Sequence, residues 1–311
     1  MNIDLFSLIL AAGGGFFAAA IGALHAFIFT GFMVVASMSI LMAGGSGSFL
    51  SYVAFGPVFG PHVAFAGGVA AAAYAARKSS EVGGKDIGVP LISLERPDVL
   101  MVGALFGMGG YVVQNLVAKI PWFGANTDSV ALTVIISALI VRVFIGRTSI
   151  FGTLPEGAGW GRFTPRDDAR WVKYHEKFVP NTFLGLGAGL LAAGLTLKIL
   201  EFYPEVGGAA NTFMFGVSAI SLLFLSLGIS FPVTHHITLI AGLAALSFLP
   251  LVNGNTYWAL LIGAVAGMFS AWFAEFFARF LHDHGNTHID PPAAAIWPMT
   301  TIVLGAAAIF S

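Results

Sequence analysis

Between residues 5 and 44 this chain carries no Asp, Glu, Lys or Arg, and a single histidine, His25. Such a stretch is suited to lipid, and lipid offers no partner to a bare peptide group. Its N–H and C=O groups must therefore be satisfied within helices or within a closed barrel. A barrel requires strict polar and apolar alternation, which runs such as Leu10–Leu24 and Leu184–Leu195 lack. The rest of the chain is of the same kind, at 57% hydrophobic and 9% charged with mean hydropathy +0.88. Soluble domains carry about 25% charged residues. The expected fold is an all-α polytopic membrane protein whose first partner is the lipid bilayer. The absence of cysteine excludes disulfides, thiolate metal sites and cysteine catalysis. Only Asp4 precedes the first apolar run, so a cleaved signal peptide is not expected. Nor is a nucleic-acid partner.

A helix needs about 20 apolar residues to cross the hydrocarbon core. Hydropathy places spans at roughly 5–24, 29–47, 54–76, 99–119 and 129–146, then at 183–200, 212–229, 234–252, 257–280 and 291–310. The first two are separated at a turn near His25–Gly31.

The chain also repeats itself in order. Val102-Gly103-Ala104-Leu105-Phe106-Gly107-Met108 returns as Ile262-Gly263-Ala264-Val265-Ala266-Gly267-Met268. In the same register Asn115 faces Glu275, Lys119 faces Arg279, and Asn126-Thr127 faces Asn286-Thr287. Phe32-Met33 and Ser37 match Phe213-Met214 and Ser218, while Gly60-Pro61-His62-Val63 matches Val233-Thr234-His235-His236. The reading is a duplication, with residues 1–146 and 181–311 as two five-helix repeats joined by a linker, 147–180. An odd number of spans per copy sets the two copies upside down relative to each other, a 5+5 inverted-topology repeat. Basic residues agree with that parity. Arg77, Lys78, Lys85, Arg96, Arg142, Arg147, Arg162, Arg166, Arg170, Lys173, Lys177 and Arg279 fall on one side, and only Lys119 and Lys198 on the other. Basic loops remain cytoplasmic, so the linker is expected inside the cell membrane and both termini outside. Within the linker, Thr164-Pro165-Arg166-Asp167-Asp168 reads as a helix start, with Trp171, Tyr174 and Phe178 on one face of a short amphipathic helix on the headgroups.

Polar residues at membrane depth carry the functional candidates. Glu275 stands one turn from Arg279, at a spacing for an ion pair, and is either that pair or a substrate- or proton-coupling carboxylate; its counterpart Asn115 cannot ionise. His62, His235 and His236 open the third and eighth spans beside Pro57, Pro61 and Pro232, where broken helices would present N–H donors to an anionic group. The densest polar run, His282-Asp283-His284-Gly285-Asn286-Thr287-His288-Ile289-Asp290, offers His282, His284, His288 and Asp290 as ligands for a possible divalent metal, although the spacing matches no closed zinc motif. Asp128 and Asp290 also read as N-caps. Gly103/Gly107 and Gly263/Gly267 are small-residue faces expected to pack one repeat on the other.

The layout resembles the general plan of secondary transporters with five-plus-five inverted repeats. That resemblance implies a permease for a small solute or ion, anionic if the histidine segments bind it and proton-coupled if Glu275 carries the proton, with a site between the repeats and a possible homo-oligomeric state. A channel, and a metal-binding membrane enzyme or assembly factor centred on the His-rich loop, are the alternatives.

Overall fold

The computed structural model describes residues 3–154, 159–165 and 167–310, and among these it is helical with no strand. Ten α-helices follow one another: α1 Leu5–Ile21, α2 Ala23–Met42, α3 Ala64–Ala75, α4 Pro97–Ala118, α5 Ser129–Ile140, α6 Phe178–Phe202, α7 Thr212–Ser226, α8 His235–Phe248, α9 Thr256–Phe277 and α10 Pro291–Phe310. Six helical segments among the described residues are long and apolar enough to cross a membrane: α2, α4, α6, α10, α7 with the turn before it and α9 with the turn after it. They are compatible with a multi-pass membrane protein. The segments of α1, α3, α5 and α8 are apolar but shorter.

Local chemistry sets the helix ends. Asp4 caps α1 by accepting from Ser7 N, Asp128 caps α5 by accepting from Ala131 N, and Asn255 caps α9 by accepting from Tyr257 N and Trp258 N. The break between α1 and α2 falls at Gly22, whose φ of 94° a residue with a Cβ rarely adopts. His25 therefore lies inside α2, one turn past the break rather than at it. The expected span over 54–76 is helical only from Ala64, whereas the one over 234–252 starts its helix at His235 as expected. Turns and bends occupy 55–63, and non-helical backbone runs from Gly228 to Thr234. The linker forms no helix over 167–177, where the chain makes turns and bends; Phe178 already belongs to α6, and Arg166 lies outside the described residues.

Small residues decide which helices touch. α1 lies along α4 and α3, and α6 lies along α9 and α8. A Cβ on Gly15 would stand 2.1 Å from the Gly103 carbonyl oxygen and 2.9 Å from Gly107 Cα. One on Gly267 would stand 2.9 Å from Gly189 Cα and 3.1 Å from the Gly185 carbonyl oxygen. The two Gly-xxx-Gly faces thus join helices within each half (α1 to α4, α6 to α9), where the sequence suggested a joint between halves. Backbones at this distance gain dispersion contacts that lipid chains cannot supply. The halves meet instead along α2 with α7 and α5 with α10. There Gly31 packs against the Gly216 carbonyl and Ala219, at 2.8 Å from either for an added Cβ.

Gly15→Ala should drive a methyl into the Gly103 carbonyl and cost on the order of 1–3 kcal/mol, read as a lower melting temperature in detergent. Gly13→Ala, where an added Cβ meets nothing within 4 Å, should leave melting unchanged or raise it. Equal effects of the two would remove the packing argument.

Candidate functional site

A cavity of about 890 Å³ lies between the halves. Its walls come from α2 (Leu24, Phe27), α3 (Phe65), α5 (Ala131, Val134), α7 (Phe215, Leu222), α8 (His235, Leu239) and α10 (Ala293, Ile296). No residue of α1, α4, α6 or α9 lines it, since the small faces of α4 and α9 are taken up by α1 and α6. One wall is polar, formed by Lys85, His235, His282, His288 and Asp290. The linker supplies residues 168–174 to the same cavity.

The polar wall rests on the segment that joins α9 to α10. A π-helical turn, Ala278–His282, ends α9, and residues 283–290 continue without helix until Asp290 caps α10, accepting from Ala293 N at 2.8 Å. Every side of this segment is gripped. Arg142, near the end of α5 and fully buried, donates from Nε to Thr287 Oγ1 (2.7 Å), from Nη2 to the Thr287 carbonyl (2.8 Å), and from Nη1 to the carbonyls of Leu281 and Ile150 (both 3.0 Å). Lys85 donates to the Asp283 carbonyl at 2.9 Å, and the Gly84 carbonyl accepts from His288 N at 3.2 Å. The Asp283 carboxylate accepts from Trp171 N in the linker (3.0 Å) and from His282 Nδ1 (3.2 Å). Lys85 and Arg142 entered the sequence reading only as topology charges. The rule that singled out Glu275, a lone charge inside an apolar run, applies equally to Val141-Arg142-Val143.

The sequence candidates separate into three places. His235, His282, His288 and Asp290 reach the cavity. The His282 and His288 rings stand 5.0 Å apart, and His288 Nε2 points to Asp290 Oδ1 at 3.4 Å. His284 does not line the cavity; its Nε2 donates to the Arg162 carbonyl at 3.0 Å. Among the described residues no three His, Cys, Asp or Glu are disposed to hold a metal ion. His62 and His236 are fully buried away from the cavity, with both ring nitrogens unpartnered. Asn115 is buried too, and its amide donates to the Tyr111 carbonyl of its own helix. Glu275 binds Arg279 at 2.7 Å; Arg279 also donates to the carbonyls of Phe163 and Glu176, fastening the linker to α9.

A family described as "Family of unknown function (DUF7973)" has a model that matches residues 1–311. The chain belongs to that family. No curated protein and no solved structure matches it.

The linker is drawn across the cavity by hydrogen bonds to both flanking segments. Besides the Trp171–Asp283 contact, the Tyr174 hydroxyl donates to the Phe231 carbonyl, and His175 Nε2 accepts from Val233 N at 3.2 Å. Burial holds His175 down at about 4, which keeps the imidazole neutral and its lone pair free for that bond. Burial also pushes the Asp283 carboxyl up to about 7, the nearby Glu275 charge adding to it and Lys85 opposing it. Lys85 is lowered to about 8 by burial and remains an ammonium at neutral pH.

Two outcomes follow. The folded state favours neutral Asp283, so its stabilising contribution is complete below the ordinary value of 3.8 and is lost as pH rises through about 7. The melting temperature of the native chain relative to Asp283→Asn should therefore fall between pH 4 and pH 7; a constant difference would refute the assignment. Arg142→Met should leave three carbonyls without a donor, each costing roughly 1–3 kcal/mol. Hydrogen exchange of residues 281–288 should accelerate at least tenfold, and unchanged protection there would show that the segment stands without Arg142.

Proposed function

We propose that this chain is a secondary transporter of a small solute, built from two five-helix halves of inverted topology, with its site in the cavity between them. The observation that carries the reading is the cavity itself. It is bounded by both halves, walled on one side by ionisable groups, and placed where two short helices, α3 and α8, begin after non-helical backbone. Non-helical backbone at membrane depth is tolerated where it lines a cavity or is buried in protein.

Equivalent contacts support the duplication. The His62 carbonyl crowds Gly110, where an added Cβ would stand 1.8 Å away, and the His236 carbonyl accepts from Ser270 Oγ at 2.9 Å. Gly110 and Ser270 stand in the same register as Gly103 and Gly263, so His62 corresponds to His236, one residue along from the match to His235 that the sequence suggested. Gly103 crowds Ala19 as Gly263 crowds Ala193. Thr127, just before α5, donates to the Trp297 carbonyl of α10, while Thr287, before α10, is held by Arg142 at the end of α5. The start of α5 therefore lies beside the middle of α10 and its end beside the start of α10, an antiparallel pair. In this reading the linker and the basic residues face the cytoplasm, and the termini lie outside.

Lys85, His235, His282, His288 and Asp290 are the groups positioned to meet the solute. Glu275 acts at a distance, by holding Arg279 on the linker. Alternating access would expose the cavity to each side in turn, which the cysteine-free chain makes measurable. A single Leu239→Cys should react with a small membrane-impermeant thiol reagent added to either side of sealed vesicles. Reaction from one side alone under every condition would overturn the transporter reading, and a steady ion current across a planar bilayer would replace it with a channel.

A further inference from the structure

The cavity is two-sided in chemistry. Its apolar side is a group of rings from both halves. Phe27 stands 5.8 Å from Phe65 and 5.9 Å from Phe215, and Phe55 stands 5.7 Å from Phe215, centroid to centroid. The rings reach the polar wall directly, Phe27 lying 4.7 Å from His235 and Phe65 5.8 Å from His288. The volume of about 890 Å³ suits an organic molecule rather than a bare ion, since pockets for such ligands measure roughly 300–1,000 Å³.

Charge on the polar wall has a sign. Lys85 spends one of its N–H donors on the Asp283 carbonyl, and an ammonium has three. Behind it Arg142 binds only neutral oxygens, so its charge is not cancelled by a carboxylate in contact. The acids that line or adjoin the cavity are turned to other tasks. Asp128 receives Ala131 N, Asp290 receives Ala293 N and His288 Nε2, Asp283 receives Trp171 N and His282 Nδ1, and Asp168 of the linker is engaged as well. The two cations that the linker brings to the cavity, Arg170 and Lys173, are paired with Asp167, and Arg170 also with Glu176. Lys85 is thus the cation left with donors to offer.

The imidazoles of the same wall have their own tasks. His282 donates from Nδ1 to Asp283, and His288 from Nε2 to Asp290, so Lys85 is the group of this wall that offers a free donor to an anionic head.

We propose that the solute is an amphipathic organic monoanion of the carboxylate type. Its head group meets Lys85, and its apolar body lies among Phe27, Phe55, Phe65 and Phe215. This rests on the transporter reading for its site and names the solute class.

The test uses three probes of one shape on the full chain in detergent: 4-phenylbutyrate, 4-phenylbutylamine and 4-phenylbutanol, by calorimetry. The carboxylate should bind saturably, and at least tenfold more tightly than the amine or the alcohol. Lys85→Gln should weaken that binding at least tenfold while Lys85→Arg retains most of it, each variant being checked for native elution and melting. Preference for the amine or alcohol, or binding to none of the three, would overturn the proposal. Loaded proteoliposomes separate the two readings. Carboxylate binding without counterflow would sink transport and keep the ligand class, whereas counterflow of the amine would sink the class and keep transport.

Discussion

A guanidinium buried without a carboxylate holds three pieces of this chain in one place. Where α9 ends, the backbone leaves its helix inside an apolar surrounding, and its carbonyls need donors that lipid cannot give. Arg142 supplies them to Leu281, Thr287 and Ile150, from the C-terminal break, the approach to α10 and the start of the linker. Its five N–H groups lie in one rigid plane, so a single side chain fixes the spacing of all three. Removing a fixed donor of this kind is costly because the acceptors cannot turn to water. The His282, His288 and Asp290 wall owes its position to that grip.

The glycine contacts explain why the cavity falls where it does. Backbone-to-backbone packing of α1 on α4 and of α6 on α9 consumes the small faces inside each half and leaves no room there for a ligand. Their outward faces carry Phe6, Phe16, Leu105, Phe183, Leu191, Leu261 and Phe269, as lipid contact requires. The cavity opens instead where α2, α3, α5, α7, α8 and α10 meet at the boundary of the halves.

Much of this was legible in the sequence, and the failures have physical reasons. Ten apolar segments could be read because each is long relative to its polar joints, and the helices lie on all ten. Asp128 and Asp290 read as caps because an aspartate before a helix start has one cheap task. The contact partners of Gly103 and Gly267 could not be read, since a small face states that something approaches closely and not what. The turn near His25 was placed three residues late because Gly22 is one glycine among many, and only its positive φ distinguishes it. Glu275 and Arg142 look alike as lone charges in apolar runs. The first has its partner four residues away, visible in the string, and the acceptors of the second lie mostly across the fold. The linker's aromatics suggested an amphipathic helix from their spacing alone; Trp171 and Tyr174 are instead turned to the cavity and the segment before α8.

The linker is part of the wall. A segment that merely tied two halves together could vary freely in length and sequence, whereas one that contributes Trp171, Val172 and Tyr174 to the cavity is fixed in register by every bond it makes. In the proposed duplication the join is a third component with no counterpart in either copy, and it gives the cavity a wall that the symmetry of two equal halves would not supply.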